Sequence, residues 1–147
     1  MKNLEDHSIF TLDPEGRVTS WNIAAEHILG YTEAEVLGRH FSFIFTAEDR
    51  QLGLPEAELR AAREHGRAED ERWHLRKAGE RFWALGILSA LHDPSGQLTG
   101  FAKILRDMTV WKHAEQALRE REQQLVAETD ALSQLNEASS RLWGSQG

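Results

Sequence analysis

The chain has 147 residues, 40% of them hydrophobic, with no cysteine and a formal net charge of −7. The missing thiol excludes a disulfide framework, a cysteine zinc site and a cysteine nucleophile, and the acidic balance disfavours a nucleic-acid surface, which needs clustered Lys and Arg. No run approaches the about 20 apolar residues of a membrane helix, and the first residues are polar, so we expect a cytoplasmic protein that contacts neither membrane nor nucleic acid.

The first predicted elements are a β-hairpin and two short helices. Two segments predict strands, Ser8–Asp13 and Arg17–Trp21, joined by a tight turn at residues 13–16 that contains proline and glycine. Each of the following helices has a polar cap residue before it and a glycine after it, at Asn22 to Gly30 and at Thr32 to Gly38. The sequence therefore opens with two strands that lead into short helices.

Three strands are predicted after a further helix. An apolar stretch at residues 41–45 precedes a helix over residues 55–65, which has proline at its start and Gly66 past its end. Two turns, at residues 77–80 and 93–96, divide the next segment, which begins at Glu71, into three long strands. Two strands, short helices, three strands and a final long helix predict an α+β fold with an antiparallel sheet.

The last predicted element is one long helix. No glycine lies between Gly100 and Gly144, and residues 110–143 are mostly strong helix formers. Apolar residues recur every seven positions, at Trp111, Leu118, Leu125 and Leu132. This heptad seam predicts a coiled coil with a second copy, although Arg121 and Glu128 at companion positions limit its strength. The alternative is an amphipathic helix that lies on its own domain.

Several motifs together resemble a PAS domain. The stretch DPEGRVTSWNIAAEHILGYTEAEVLGRHFSFIF has the family's Asp/Gly hairpin, aromatic-Asn pair and GY-x-x-x-E-x-x-G helices. RKAGERFW is similar to its R-K-D-G-x-x-F-W hairpin, with Ala78 in place of Asp, and Asp107-Met108-Thr109 to its D-I-T exit motif. The resemblance divides the chain into an N-terminal segment (residues 1–7), a PAS domain (8–109) and a coiled-coil signalling helix (110–147). It implies a five-stranded antiparallel sheet with short helices on one face.

The resemblance also implies a sensory function. PAS domains bind a small ligand or cofactor between the sheet and the helices, or dimerise without one, and act on an output domain through the exit helix. We find no kinase phosphoacceptor helix, nucleotide loop or cyclase motif, so we expect no enzyme in this chain. The expected output domain is a histidine kinase of the bacterial two-component type, outside these residues, with Asp107 and Thr109 as the relay to it.

The resemblance and the strand alternation together sort the pocket from the dimer surface. Seven residues are candidates for the ligand pocket: Ile28, Leu59, His74, Phe82, Ala84, Gly86 and Leu88. The small Ala84 and Gly86 leave a cavity, or neighbouring Phe and Leu side chains fill that space. Trp83, Leu85 and Ile87 alternate with the pocket residues and are too apolar to face water, so we expect a second subunit or an N-terminal segment to cover them.

The cofactor stays open. Light-driven cysteine adduct chemistry is excluded, because the cysteine is missing and Ala84 stands where photosensory relatives carry a flavin-contacting Asn. Our first expectation is no cofactor. Non-covalent flavin is an alternative, since His74 aligns with a flavin-bonding Asn, but His74 also fits an ordinary strand histidine beside Asp70 or Glu71. A further alternative is a ligand-free dimerisation module.

Two other kinds of site are disfavoured. Haem lacks an axial ligand, because the position near Gly53 where haem-binding relatives carry their ligand has no histidine, and no pair of histidines has metal-ligand spacing. The acidic pairs Glu56/Glu58 and Glu69–Glu71 resemble catalytic carboxylates, but we expect them to lie on a solvated surface.

Overall fold

The structure, a computed structural model, describes residues 7–144. Residues 1–6 of the predicted N-terminal segment and residues 145–147 at the end of the predicted signalling helix lie outside the described residues. Five antiparallel strands form one sheet in the spatial order β2-β1-β5-β4-β3. They are β1 (His7–Leu12), β2 (Val18–Trp21), β3 (Arg67–Leu75), β4 (Arg81–His92) and β5 (Leu98–Asp107). The predicted α+β class with a five-stranded antiparallel sheet is confirmed.

The helices lie between β2 and β3 and after β5. They are α1 (Ile23–Leu29), α2 (Glu33–Val36), a 3₁₀ turn (Phe41–Ile44), α3 (Ala47–Gln51), α4 (Leu54–His65) and α5 (Thr109–Gly144). The Asn22 side chain caps α1 by accepting from the backbone N–H of Ala25 at 2.8 Å, and it also accepts from Ile9 of β1 at 3.0 Å. One side chain therefore joins the first helix to the first strand.

Two elements differ from the prediction. Helix α3 was not predicted, because its five residues, AEDRQ, carry no apolar periodicity; the Thr46 side chain caps it by accepting from Asp49 at 3.3 Å. Strand β3 begins at Arg67 instead of at Glu71, since its acidic first residues have weak strand propensity but pair in register with β4 from Ser89 onward. The long β3 brings Asp70 into the sheet.

The core lies between one face of the sheet and the short helices. Five phenylalanines are fully buried there: Phe10, Phe41, Phe45, Phe82 and Phe101. Along β4, the buried Ala84 and Leu88 alternate with the partly exposed Leu85 and Ile87. The first pair therefore faces the core, and the second faces away from it.

The chain divides into two compact units between Thr109 and Val110. The second unit is α5, whose heptad residues Trp111, Leu118, Leu125 and Leu132 are each at least half exposed. No helix within the described range, residues 7–144, has both the length and the apolar character needed to cross a membrane.

Candidate functional site

The core contains a group of charged side chains, the buried charge cluster, formed by Glu58 of α4, Asp70, Arg72 and His74 of β3, and Lys103 of β5. Lys103 and His74 are fully buried, and Glu58 and Asp70 nearly so. The prediction that the acidic groups at positions 58 and 70 lie on a solvated surface is wrong. Glu58 shares the buried side of α4 with Leu59, and Asp70 follows the inward alternation of β3.

Asp70 lies at the centre of the buried charge cluster. Its Oδ1 accepts a hydrogen bond from Lys103 Nζ at 3.1 Å, and its Oδ2 accepts from Arg72 Nε at 2.6 Å. His74 Nε2 lies 3.5 Å from the same Oδ2. Lys103 Nζ also forms an ion pair with Glu58 Oε1. Two carboxylates from different elements therefore share one buried ammonium group.

The pKa values of the two carboxyl groups in the cluster shift in opposite directions. Burial opposes ionisation of Asp70, but the neighbouring His74 side chain and the charge of Lys103 outweigh it and hold the pKa of Asp70 below its usual range. Burial raises the pKa of Glu58 above its ordinary value; the charge of Lys103 offsets only part of that rise, and the charge of Asp70 adds to it. Asp70 is therefore the permanent anion of the pair.

Gly86 makes room for the cluster. It lies directly opposite Asp70 in the β3–β4 register. A Cβ atom at this position would collide with Asp70 Oδ1 and lie 2.9 Å from Lys103 Nζ. The predicted alternatives for this position were a cavity or a filling of Phe and Leu side chains. At Gly86 the charged side chains of Asp70 and Lys103 fill the space together with the side chain of Leu105.

The other predicted pocket residues belong to the same core or pack against it. Phe82, Ala84 and Leu88 are fully buried, Leu59 is 6% exposed and Ile28 is partly buried. His74 Nδ1 lies 3.0 Å from the carbonyl oxygen of Ile44, and its ring packs edge-on against Phe45. His74 is thus a strand histidine beside Asp70, and a ligand-binding role for it and for the other six residues stays a prediction.

The end of β5 carries a second set of polar contacts, at the predicted relay residues. Asp107 Oδ1 accepts from the Thr109 backbone N–H at 3.0 Å and from its hydroxyl at 2.5 Å. Asp107 Oδ2 accepts from Arg76 Nη2 at 2.7 Å. Burial opposes ionisation of Asp107, but these hydrogen bonds from Thr109 and Arg76 lower the pKa of the carboxyl below its ordinary value.

Arg76 extends these contacts to other elements. Its Nη1 donates to the carbonyl oxygen of Ile28 in α1 at 2.6 Å, and its guanidinium lies 4.4 Å from the centre of the Phe82 ring. On the other side, the Thr109 hydroxyl accepts from the backbone N–H of Trp83 at 3.1 Å. We call this series of contacts the exit network. Our sequence analysis missed Arg76, whose one signal is its place in the RKAGERFW motif.

The opposite face of the sheet carries a group of apolar side chains on β3, β4 and β5. Trp73 and Trp83 meet edge to face with their ring centres 5.2 Å apart. Leu85 and Ile87 are partly exposed, and Ile104, paired with Ile87 across the strands, is 36% exposed. We call these five residues the outer apolar face. The predicted dimer residues of β4 therefore lie together, whereas those of α5 belong to the second unit.

Known proteins similar to this chain include a two-component system protein and a histidine kinase. The chain is 40% identical over 112 residues to two-component system protein A of Emericella nidulans, and 29% identical over 116 residues to the cell-division control histidine kinase PdhS of Brucella ovis. These matches cover 76% and 75% of this chain but only 16% and 10% of those proteins. The chain thus spans a small part of the curated relatives that it matches.

Structural and family comparisons agree with this similarity. The PAS domain of a Colwellia psychrerythraea protein superimposes with a TM-score of 0.65 at 22% identity, over 70% of this chain and 86% of that one. A family model described as PAS domain matches residues 6–110. The fold and the family match lead to one conclusion, that this chain belongs to the PAS domain family.

Proposed function

We propose that this chain is a sensory PAS module that acts, through α5, on an output domain outside these residues. A histidine kinase is the output that we infer, because one relative is named a histidine kinase and another a two-component system protein. Both relatives are far longer than the matched segment, which leaves length for catalytic domains. The enzyme activity would then belong to the full-length receptor and not to the PAS module.

The exit network is the observation that carries this proposal. It joins α1, through the Ile28 carbonyl and Arg76, to Asp107, and it joins Asp107 to Thr109, the first residue of α5. The Trp83 main chain of β4 bonds to the same Thr109 hydroxyl. A displacement of either α1 or β4 therefore changes bonds at the first turn of α5. Two arrangements of these bonds would be enough to bias an attached domain.

We further propose that the module works as a dimer with a second copy of the chain. Two features support this. The outer apolar face leaves large side chains partly exposed, and the heptad residues of α5 are exposed as well. The charged Arg121 and Glu128 would weaken a helix pair at two companion positions, and a weak seam lets two registers lie close in free energy.

Flavin binding and ligand-free dimerisation stay predictions. A visible absorption spectrum of the freshly purified protein separates them, because a bound flavin is coloured and a ligand-free module is not. A colourless protein that still sediments as a dimer would leave the dimerisation module as the better description of this chain.

To test the relay, the chain is fused through α5 to a histidine kinase catalytic core, and the rate of autophosphorylation is measured. Asp107→Ala should change the rate at least about 5-fold, the lower end of typical coupling between sites. Asp93→Ala is the matched control, because Asp93 Oδ1 accepts from Ser95 in the same Asp-x-hydroxyl arrangement, in the turn before β5 and thus at the opposite end of that strand from Asp107. If the two variants had equal rates, the exit network would not be the relay.

A further inference from the structure

Glu58 differs from the other members of the buried charge cluster in how it is bonded. It is the one member contributed by a helix, α4, and it is 6% exposed. Its Oε1 pairs with Lys103, but its Oε2 is buried and accepts no hydrogen bond from any residue within the described range. Asp70, by contrast, accepts bonds on both oxygens. The cluster thus contains one fully bonded carboxylate and one half-bonded carboxylate.

A half-bonded carboxylate in a protein core is a place where a proton can bind. A buried ionised oxygen without a donor is strongly disfavoured, whereas a neutral carboxylic acid is much less costly to bury. A proton on Oε2 leaves Oε1 free to go on accepting from Lys103. Asp70 neutralises Lys103 whether or not Glu58 carries a charge, so the cluster tolerates both states of Glu58.

The groups that face Glu58 from each neighbouring element are few. Lys103 faces it from β5, and Asp70 and His74 face it from β3. The inward residues of β4, which are Phe82, Ala84, Gly86 and Leu88, carry no charge. Arg72 lies beyond Asp70, and its Nη1 is 3.8 Å from Asp49 of α3. His74 is a second titratable group in this set, so its contribution to any pH dependence of α4 has to be measured separately.

We propose that Glu58 is a proton-binding site that controls how firmly α4 is held on the inner face of the sheet, and that pH is therefore a stimulus of this module. The role of pH as a stimulus rests on the proposed sensory function. Proton binding itself does not, because it can be measured in the isolated chain.

The direction of the effect follows from the burial of Glu58. Because its folded pKa is raised, the stability that the neutral form contributes is fully present below the ordinary glutamate value near 4.5 and is lost as pH rises through the raised value. Opening α4 exposes Glu58 to water and lets it ionise freely. α4 should therefore open more readily as the solution becomes less acidic.

Amide hydrogen exchange of α4 between about pH 5 and 8, corrected for intrinsic exchange rates, tests the proposal. In the wild-type chain, the opening equilibrium constant should rise with pH over this range, because Glu58 holds its proton more tightly in the closed state than in the open one. Glu58→Gln should lose this rise. Glu56→Gln is the matched control, since Glu56 is an exposed acid on the same helix, and it should follow the wild type.

Three results would overturn the proposal. One is the same pH dependence in Glu58→Gln and in Glu56→Gln. Another is a pH dependence that survives in Glu58→Gln but is lost in His74→Gln. If Glu58→Gln fails to fold, the titration of the Glu58 carboxyl carbon by NMR in the wild-type chain decides, and a midpoint equal to that of Glu56 would exclude the site. None of these measurements depends on Asp107 or on an output domain.

Discussion

The inner face of the sheet buries Asp70, His74 and Lys103, whereas its outer face leaves Trp83 and Leu85 partly open to solvent. In an antiparallel sheet with one covered face, the covered side is usually apolar and the open side polar. Here the mostly apolar inner face also buries charged and polar side chains, and the outer face leaves large apolar side chains partly exposed. Each face therefore holds groups that need a partner, and the two faces find it in different ways.

The inner face satisfies its charges within the chain. Lys103 and Asp70 compensate each other at a cost in desolvation, and replacing such a buried pair by apolar residues is often neutral or even stabilising. Stability alone therefore does not account for the cluster, which is consistent with the proton-binding role proposed for Glu58. The outer face leaves Leu85, Ile87 and Ile104 partly exposed among the described residues, which supports the proposed second copy as their cover. The difference suggests that sensing belongs to the inner face and assembly to the outer face.

The largest expected effect comes from removing the buried cation. Lys103→Met should lower the free energy of unfolding by about 3–5 kcal/mol, because it leaves Asp70 and Glu58 buried without their shared partner. Urea unfolding at neutral pH measures this loss. The second variant, Lys103→Met with Glu58→Gln, should recover part of it, because the Glu58 side chain, which has lost its ion pair with Lys103, is then neutral.

Lys77→Met is the control for this experiment. Lys77 forms an ion pair with Glu35 on the surface, where both side chains are more than a third exposed. Its replacement should change the free energy of unfolding far less than that of Lys103. Equal losses from the two lysine variants would contradict the view that Lys103 is the necessary partner of two buried carboxylates.

A smaller effect is expected from filling the space at Gly86. Gly86→Ala should lower the free energy of unfolding by about 1–3 kcal/mol, because the added Cβ collides with Asp70 Oδ1 and crowds Lys103 Nζ. The sign of the change in the free energy of unfolding distinguishes a filled space at Gly86 from a free one. Gly86 is not among the glycines with positive φ, and at a position with free space alanine would stabilise by about 0.4–1 kcal/mol through the unfolded chain. If thermal and urea unfolding showed that Gly86→Ala stabilises the chain, the cluster would have moved to accommodate the methyl group without a cost in free energy.

Much of the fold could be predicted because its signals are local. The hairpin before Trp21, the capped helix after Asn22 and the glycine-free run of α5 each depend on neighbouring residues. The outward position of Leu85 and Ile87 followed from alternation along one strand together with the resemblance to PAS domains. Such features need no knowledge of distant parts of the chain, and local sequence carries them well.

The buried charge cluster could not be predicted in the same way. In the run FAKIL, Ala102 and Ile104 are as apolar as Phe101 and Leu105, so alternation does not decide which face takes Lys103. Glu58 falls at helical spacing with the buried Pro55 and Ala62, which was a usable signal, but charged residues are so seldom buried that exposure is the natural prediction. The exit network joins Arg76 to residues 48 and 31 positions away, and no local pattern marks such pairs.

The smallest effect on the stability of the chain, but a large one on assembly, is expected at the outer apolar face. Leu85→Gln should raise the dissociation constant of the dimer by about 10- to 100-fold, because burying a leucine is worth about 1.5–3 kcal/mol. Sedimentation at several concentrations measures this dissociation constant.

Ser89→Gln is the control, because it introduces the same side chain at a polar position on the same strand and the same face, and it should leave the dimer unchanged. A wild-type chain that sediments as a monomer, or a Leu85→Gln variant that dimerises as well as Ser89→Gln, would show that something other than a second copy covers this face. The free energy of unfolding of the monomer should change by only about 0.5 kcal/mol, as is usual at the surface, so a loss of dimer without a loss of fold would locate the defect at the interface.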